Sequence, residues 1–463
     1  MFLLLIKKSY HILFFLGLFF FPFNEYQGID ALGEFKSEAG ALFFMAGFVL
    51  LIVESMFIGK ISIPYKSIFF KILIIFLLWC FITTLLNGSS VLTNYFKHTG
   101  GVDRFLRQYF ALLLSSIIFF IYYWNVLIRM ELKDIFFKIR KIFLFSLIVA
   151  TVYGFLETLV SYFGFGFFFP ILELFDYFPF LEVSLHVKGR ISSISYEPPF
   201  FAIYLITISG WMFSYILTSK KISRFLPTIA VLTLTFFSGS RTGLMVVFFQ
   251  LLIFITILFK EKKFRRDIVN SLSIFLLVFS VLLVFNGEKI TKAVYNKIES
   301  LDFKSNLKKN ISNKSRFGMQ YASLQVFKEN PLIGVGFGQQ SYHNRLHYPI
   351  WATRNNYEFD VWYKNKNEKS FPPGYNIYTR LLAETGIFGF VIYLSLVVST
   401  ILMAKKIIRN STNEKKLLGI VLLISFSGLY INGLQVDTFR IYGIWICLAI
   451  LIKLTQENKI ANE

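Results

Sequence analysis

The sequence predicts an all-α polytopic membrane protein, with about 12 transmembrane helices and one long extracytoplasmic loop containing short helices. Three observations predict it. Of its 463 residues, 55% are hydrophobic and 16% charged, whereas a soluble domain carries roughly 25% charged residues. The mean hydropathy is +0.60. The apolar residues also fall into runs separated mostly by short loops, and most runs approach the roughly 20 residues needed to cross a bilayer.

In order, the runs are 9–23, 39–58, 67–86, 105–128, 141–163, 198–219, 225–238, 241–260, 267–286, 377–404, 416–435 and 439–456. The first follows Lys7-Lys8 with no small-residue cleavage site behind it, so it reads as a retained span. After the fifth, Phe165 to Phe175 is apolar but broken by Gly166 and Pro170, which suggests an interfacial or re-entrant piece. The sixth opens at Pro198, where a missing N–H is harmless. The seventh is short, and its turn into the eighth is tight. A long polar stretch then separates the ninth span from the tenth. The chain therefore divides into residues 1–286 (nine spans), 287–375 (the long loop) and 376–463 (three spans and a tail). The loop opens with a Lys/Asn/Ser-rich half, Lys289 to Ser315, read as a partly exposed helix or a mobile edge. Its second half is richer in Gly, Pro and aromatic residues.

Charge orients these spans. Of the 48 Lys and Arg, 25 fall on one set of alternating loops, 8 on the short loops of the other, and 15 in the long segment through Arg380. Long loops are discounted in the positive-inside rule, so both termini are expected in the cytoplasm and the long loop outside. The net charge of +21 lies mostly in short loops between spans, which argues against a nucleic-acid partner. Cys80 and Cys447 sit inside apolar runs, so neither a disulfide framework nor a metal site is indicated.

Four constellations carry candidate chemistry. In Ser238-Gly239-Ser240-Arg241-Thr242-Gly243, Arg241 is either a planar fork for a phosphate or an arginine snorkelling from a helix end. Gly189-Arg190-Ile191 precedes Ser195-Tyr196-Glu197-Pro198, where Glu197 either favours the helix dipole or acts as a base of raised pKa in a partly dry cleft. Arg316 precedes Asn330-Pro331-Leu332-Ile333-Gly334-Val335-Gly336, whose glycines allow a tight turn or a close backbone approach to a ligand. This run is no nucleotide loop, because no Lys-Ser/Thr follows it. Finally, Pro372-Pro373-Gly374-Tyr375-Asn376 leads through Arg380 to Glu384, Gly386 and Gly389 as the chain re-enters the membrane. There Glu384 is either a cleft carboxylate or a loop anchor, and the two glycines permit close helix packing. Weaker candidates are His343, His347 and His186, the intramembrane acid Glu157, and an Asp437–Arg440 pair at the last outer turn.

In this order these pieces resemble the O-antigen polymerase and O-antigen ligase superfamily of bacterial envelope glycosyltransferases. The resemblance rests on the Arg241 turn, then Arg316 with Asn330 to Gly336, then the re-entry from Asn376 to Gly389, with Arg190 and Glu197 upstream. It is clear over residues 185–405 and elsewhere extends only to topology. It implies a lipid-linked sugar substrate handled at the outer face of the bacterial inner membrane, without metal, nucleotide or other cofactor. Polymerases move a growing glycan from undecaprenyl diphosphate to the next lipid-linked repeat unit, and ligases move the finished glycan to lipid A–core. In the ligase branch a His typically precedes the re-entry Asn. Here Tyr375 stands there, which favours polymerisation.

On this resemblance, Arg190, Arg241 and Arg316 hold the donor diphosphate, Glu197 is the base with His343 behind it, and Tyr375, Asn376, Arg380 and Glu384 contact substrate. The expected partners are undecaprenyl-diphosphate-linked glycans and membrane lipids, with a chain-length regulator and a flippase alongside. A flippase or exporter is the alternative from another class. It would more often show internal repeats and midplane charges, and neither stands out in this sequence.

Overall fold

The computed structural model describes residues 2–185, 189–260, 265 and 310–460. The ninth run, the loop up to residue 309 and His186 lie outside the described residues.

Eleven of the twelve expected runs form helices. They are α1 (Phe2–Phe19), α2 (Ala39–Ile58), α3 (Ile68–Leu86), α4 (Gly101–Leu127), α5 (Leu132–Tyr162), α6 (Pro198–Thr218), α7 (Leu226–Phe237) and α8 (Arg241–Lys260). After the loop helices α9 (Ile311–Glu329) and α10 (Gln340–Asn344) come α11 (Ile377–Asn410), α12 (Asn413–Asn432) and α13 (Tyr442–Ile460). Seven of them, α2 to α6, α8 and α11, are long and apolar enough to cross a membrane by length and composition alone. Among the described residues the strands form only a two-stranded hairpin, Tyr95–Phe96 with Thr99–Gly100. This is an all-α polytopic membrane protein.

The helices overrun the apolar runs at several ends. α5 begins at Leu132 rather than 141, and α11 continues to Asn410 rather than 404. Hydropathy marks only the part that sits in hydrocarbon. Lys and Arg are good helix formers and carry the helix onward into the polar boundary. The segment after α5 breaks into short helical pieces, Gly166–Phe168, Phe169–Glu173 and Leu174–Tyr177, as its Gly and Pro predict.

α12 is the central column, packed against α6, α8, α11 and α13. Small residues let its neighbours approach: a Cβ on Gly428 would fall 2.1 Å from the Gln250 amide. That amide donates to the carbonyls of Ile206 (2.9 Å) and Ile424 (3.0 Å), joining α8 to α6 and α12 by polar contacts that hydrocarbon cannot supply.

The second half of the long loop is folded. Asn310 caps α9 by accepting from the Asn313 amide, and a small cluster of Met319, Ala352, Phe359 and Tyr363 packs beneath it. The glycine-rich segment then lies against a break in α11. Val335 N–H donates to Ala383 O (3.0 Å) and Gly336 N–H to Glu384 O (2.9 Å). Gly386 makes the break possible, with φ +63°. A Cβ there would stand 2.1 Å from Leu332 O. The close approach these glycines make is to the backbone of α11, where the sequence suggests a tight turn or an approach to a ligand, and it anchors the loop to the membrane helices.

Candidate functional site

Loops from four parts of the chain meet at one end of the bundle around a cavity of about 190 Å³. The first carries Arg190. Its segment is pinned from below by Glu157 at the end of α5, whose carboxylate accepts from the N–H groups of Ser192 (3.1 Å) and Ser193 (2.7 Å). Arg190 Nε donates to Ser238 O at 3.2 Å, passing over Gly239. Gly239 has φ +64°, and a Cβ there would lie 2.8 Å from Arg190 Nε, so the turn needs glycine both for its conformation and for room.

The second loop is that turn. Ser238 Oγ accepts from Ser240 N–H and Ser240 Oγ from Gly243 N–H, both at 3.2 Å. These bonds start α8 with Arg241 as its first residue, so the guanidinium stands at the positive end of a helix dipole. Arg241 Nη2 donates to Asn313 Oδ1 at 3.2 Å. The third contributor is α9, which presents Arg316. The fourth is the turn after α12, where Gln435 Oε1 accepts from Arg316 Nη1 at 3.2 Å. Arg316 also lies over the Tyr375 ring, 4.9 Å from its centroid. Tyr375 takes φ +56°, and its hydroxyl pairs with that of Tyr363 at 2.6 Å. Burial holds the Tyr375 phenol above its usual range.

Three guanidinium groups therefore share one small polar cavity. Among the described residues, no carboxylate lies within 4 Å of Arg190 or Arg316. Burial holds the Arg190 pKa below its ordinary value, and the positive charges of Arg241 and Arg316 push the same way, with Glu197 opposing. An entering anion relieves that mutual repulsion. Diphosphate, with several oxygens to share among forked donors, suits the arrangement.

Other candidates fall elsewhere. Glu197 precedes α6, within electrostatic reach of Arg190 but not among the residues that line the cavity, and it stands exposed to solvent rather than in a dry cleft. Asn376 is a helix cap: its Oδ1 accepts from Tyr378 N–H (2.9 Å) and Thr379 N–H (3.2 Å), which occupies the group expected to touch substrate. Arg380 and Glu384 form a buried ion pair at 3.0 Å. Arg380 also donates to Asp437 O (2.6 Å) and Gln108 Oε1 (3.1 Å). The pair lines a separate cavity of about 400 Å³ beside Arg104 and Phe371. The i,i+4 spacing on α11 brings these two side chains together, so each satisfies the other.

His343 does not line the arginine cavity. It sits by His347 and Glu329, and Glu329 ends α9 thirteen residues beyond Arg316, roughly 20 Å along the helix. Burial holds its imidazole pKa below the usual range, with the positive charges of His347 and Arg345 adding to the effect. Arg440 pairs with Glu38 (2.7 Å) and Glu34 (3.4 Å) rather than with Asp437, which instead accepts from Gly374 N–H at 2.6 Å.

The sequence reading missed Asn313 and Gln435, which hold Arg241 and Arg316 from two other elements. No local pattern marks either of them.

Residues 226–394 match the family described as O-antigen ligase. Over that stretch the match supports the O-antigen polymerase and ligase superfamily and does not separate its two branches. The matched stretch runs from the first turn of α7 into α11, so it takes in Arg241, Arg316, Tyr375 and Asn376 and leaves Arg190 and Glu197 upstream. A comparison with curated proteins gave no match. The match, with the apolar helices, supports a membrane glycan-processing enzyme of that superfamily.

Proposed function

We propose that the protein is a polysaccharide polymerase. It extends glycans carried on undecaprenyl diphosphate at the outer face of the bacterial inner membrane, with both termini in the cytoplasm. The observation that carries this reading is the convergence of Arg190, Arg241 and Arg316 on one cavity from three separate elements. A hydroxyl of the acceptor repeat unit attacks the anomeric carbon of the donor. The bond from that carbon to the diphosphate oxygen breaks, and its electron pair stays on the diphosphate. Three guanidinium groups gather that charge as it develops, and such preorganised donors lower the barrier most where water is excluded. The hydroxyl proton passes to Glu197, whose exposure leaves it open to an incoming acceptor and to water. Tyr375 holds Arg316 flat, and the loop helices hold the sugars in line. A chain-length regulator and a flippase are the expected partners.

Arg241→Ala, expressed at the normal level in a polymerase-null strain, should leave single repeat units where the wild-type chain restores a ladder of long glycans. An unchanged ladder sinks the proposal. The ligase reading is favoured by the description of the matching family, while Tyr375 in place of the usual His argues against it. Purified protein given only lipid-linked repeat units separates the two: a polymerase builds a ladder and releases undecaprenyl diphosphate, and a ligase needs lipid A–core.

A further inference from the structure

A second, larger cavity lies apart from the arginine site. It is an apolar groove of about 880 Å³ between α5 and α7, near the upper end of the roughly 300–1,000 Å³ usual for small-molecule sites. Its walls carry exposed apolar side chains, among them Ile148, Val152, Phe155 and Ile229, so it opens sideways into lipid. One end reaches Phe163 and Phe237 beneath the arginine cavity. The other ends at Arg140 and Arg224, with the hydroxyls of Thr218, Ser219 and Ser223 around them.

Arg140 is the unusual member. It is only 6% exposed. Its Nη1 donates to Thr218 Oγ1 at 2.6 Å and, at 3.4 Å, to Ser214 O and Oγ. The guanidinium lies against the Phe136, Phe137 and Tyr215 rings at 4.6, 5.0 and 4.1 Å. Its Nε is buried with no hydrogen-bond partner, and among the described residues no carboxylate stands within 4 Å of it. Burying a charge without a counter-charge is strongly unfavourable. An anion that reaches it through the groove removes that penalty. Lys138, Lys141, Lys220 and Lys221 add further positive charge near this end, and the only acid close by on α5, Asp134, is paired with Lys138 at 3.0 Å.

We infer that this groove binds one anionic glycerophospholipid from the leaflet opposite the arginine cavity. Its phosphate lies against Arg140 and its acyl chains run between α5 and α7. A basic pocket between helices at the headgroup level is the usual means of holding such lipids. A polyprenyl tail would fill the apolar walls equally well, but it brings no charge to Arg140. Its own diphosphate belongs with the arginine cavity, roughly 25 Å away along α5 from Arg140 to Glu157. The site is independent of the glycosyl-transfer reading.

Native mass spectrometry of the full chain in mild detergent tests it, with phosphatidylglycerol and phosphatidylcholine titrated separately. The wild-type chain should hold one phosphatidylglycerol at least about tenfold more tightly than phosphatidylcholine, the loss expected from one charge-assisted contact. Arg140→Gln should remove that preference. Ile229→Trp, which fills the groove from an exposed position and leaves Arg140 intact, should weaken binding of both lipids, and it carries the test alone if Arg140→Gln does not fold. No preference in the wild-type chain, a preference that survives Arg140→Gln, or unchanged binding by Ile229→Trp overturns the inference. So does displacement of the lipid by a polyprenyl phosphate whose binding ignores Arg140→Gln.

Discussion

Glu157 never touches the cavity, yet the structure makes Arg190 depend on it. Its carboxylate is the acceptor for two buried N–H groups, those of Ser192 and Ser193. Ser193 also sits at φ +53°, which costs an L-residue about 1–2 kcal/mol. Glu157→Ala strands both donors at about 1–3 kcal/mol each, so about 2–6 kcal/mol no longer holds residues 189–195 in place. The loop should relax locally, because rotating Ser193 out of its strained conformation relieves part of that loss, and Arg190 moves with it. A displacement of about 1 Å at a clamping group lowers turnover roughly a hundredfold. Glu157→Gln keeps one oxygen acceptor and turns an amide donor toward the other N–H, so it should fall between wild type and Glu157→Ala. Two measurements check this: amide exchange at Ser192 and Ser193, and polymer formed from lipid-linked repeat units by purified protein. Combining Glu157→Ala with Arg190→Ala should cost little more than Arg190→Ala alone, since both act through one guanidinium. Full activity in Glu157→Ala, or strictly additive losses in the pair, refutes the argument.

Arg316→Lys should lower kcat about ten- to a hundredfold with little change in KM, because a point charge replaces a fork that is stacked on Tyr375 and bonded to Gln435; steady-state kinetics would show it. Gly386→Ala should destabilise the junction between loop and membrane by about 2–6 kcal/mol, combining backbone strain with a clash against Leu332 O, read as a lowered Tm and early proteolysis of the loop. His343 should make the loop acid-sensitive. Its folded pKa is depressed by burial, so below about pH 6.5 the unfolded chain gains a proton that the folded chain resists. The stability it contributes is therefore complete above that pH and is lost as pH falls toward the depressed value. Melting curves from pH 7.5 to 5 should show the loss, and His343→Gln should flatten it.

The sequence by itself determined the membrane class and the order of the apolar runs. Hydrocarbon demands runs of apolar residues and internally satisfied backbone, and that demand is written locally along the chain. It also singled out Arg190, Arg241 and Arg316, because arginines beside glycine-rich turns or at span boundaries stand out without reference to any other element. Tertiary structure decided which polar residues share a cavity. Arg380 and Glu384 look like the rest of the motif, yet one helical turn brings them into each other's reach and they neutralise one another. Asn376 reads as a substrate contact until the start of α11 claims its oxygen. Gln435 and Asn313 lie 119 and 72 residues from the arginines they hold, and Arg140 shows its missing counter-charge only once α5, α6 and α7 are packed. A one-dimensional pattern records what each segment needs from its solvent. Whether a charge has a partner depends on distances between segments far apart in the chain, and only the folded bundle sets those distances.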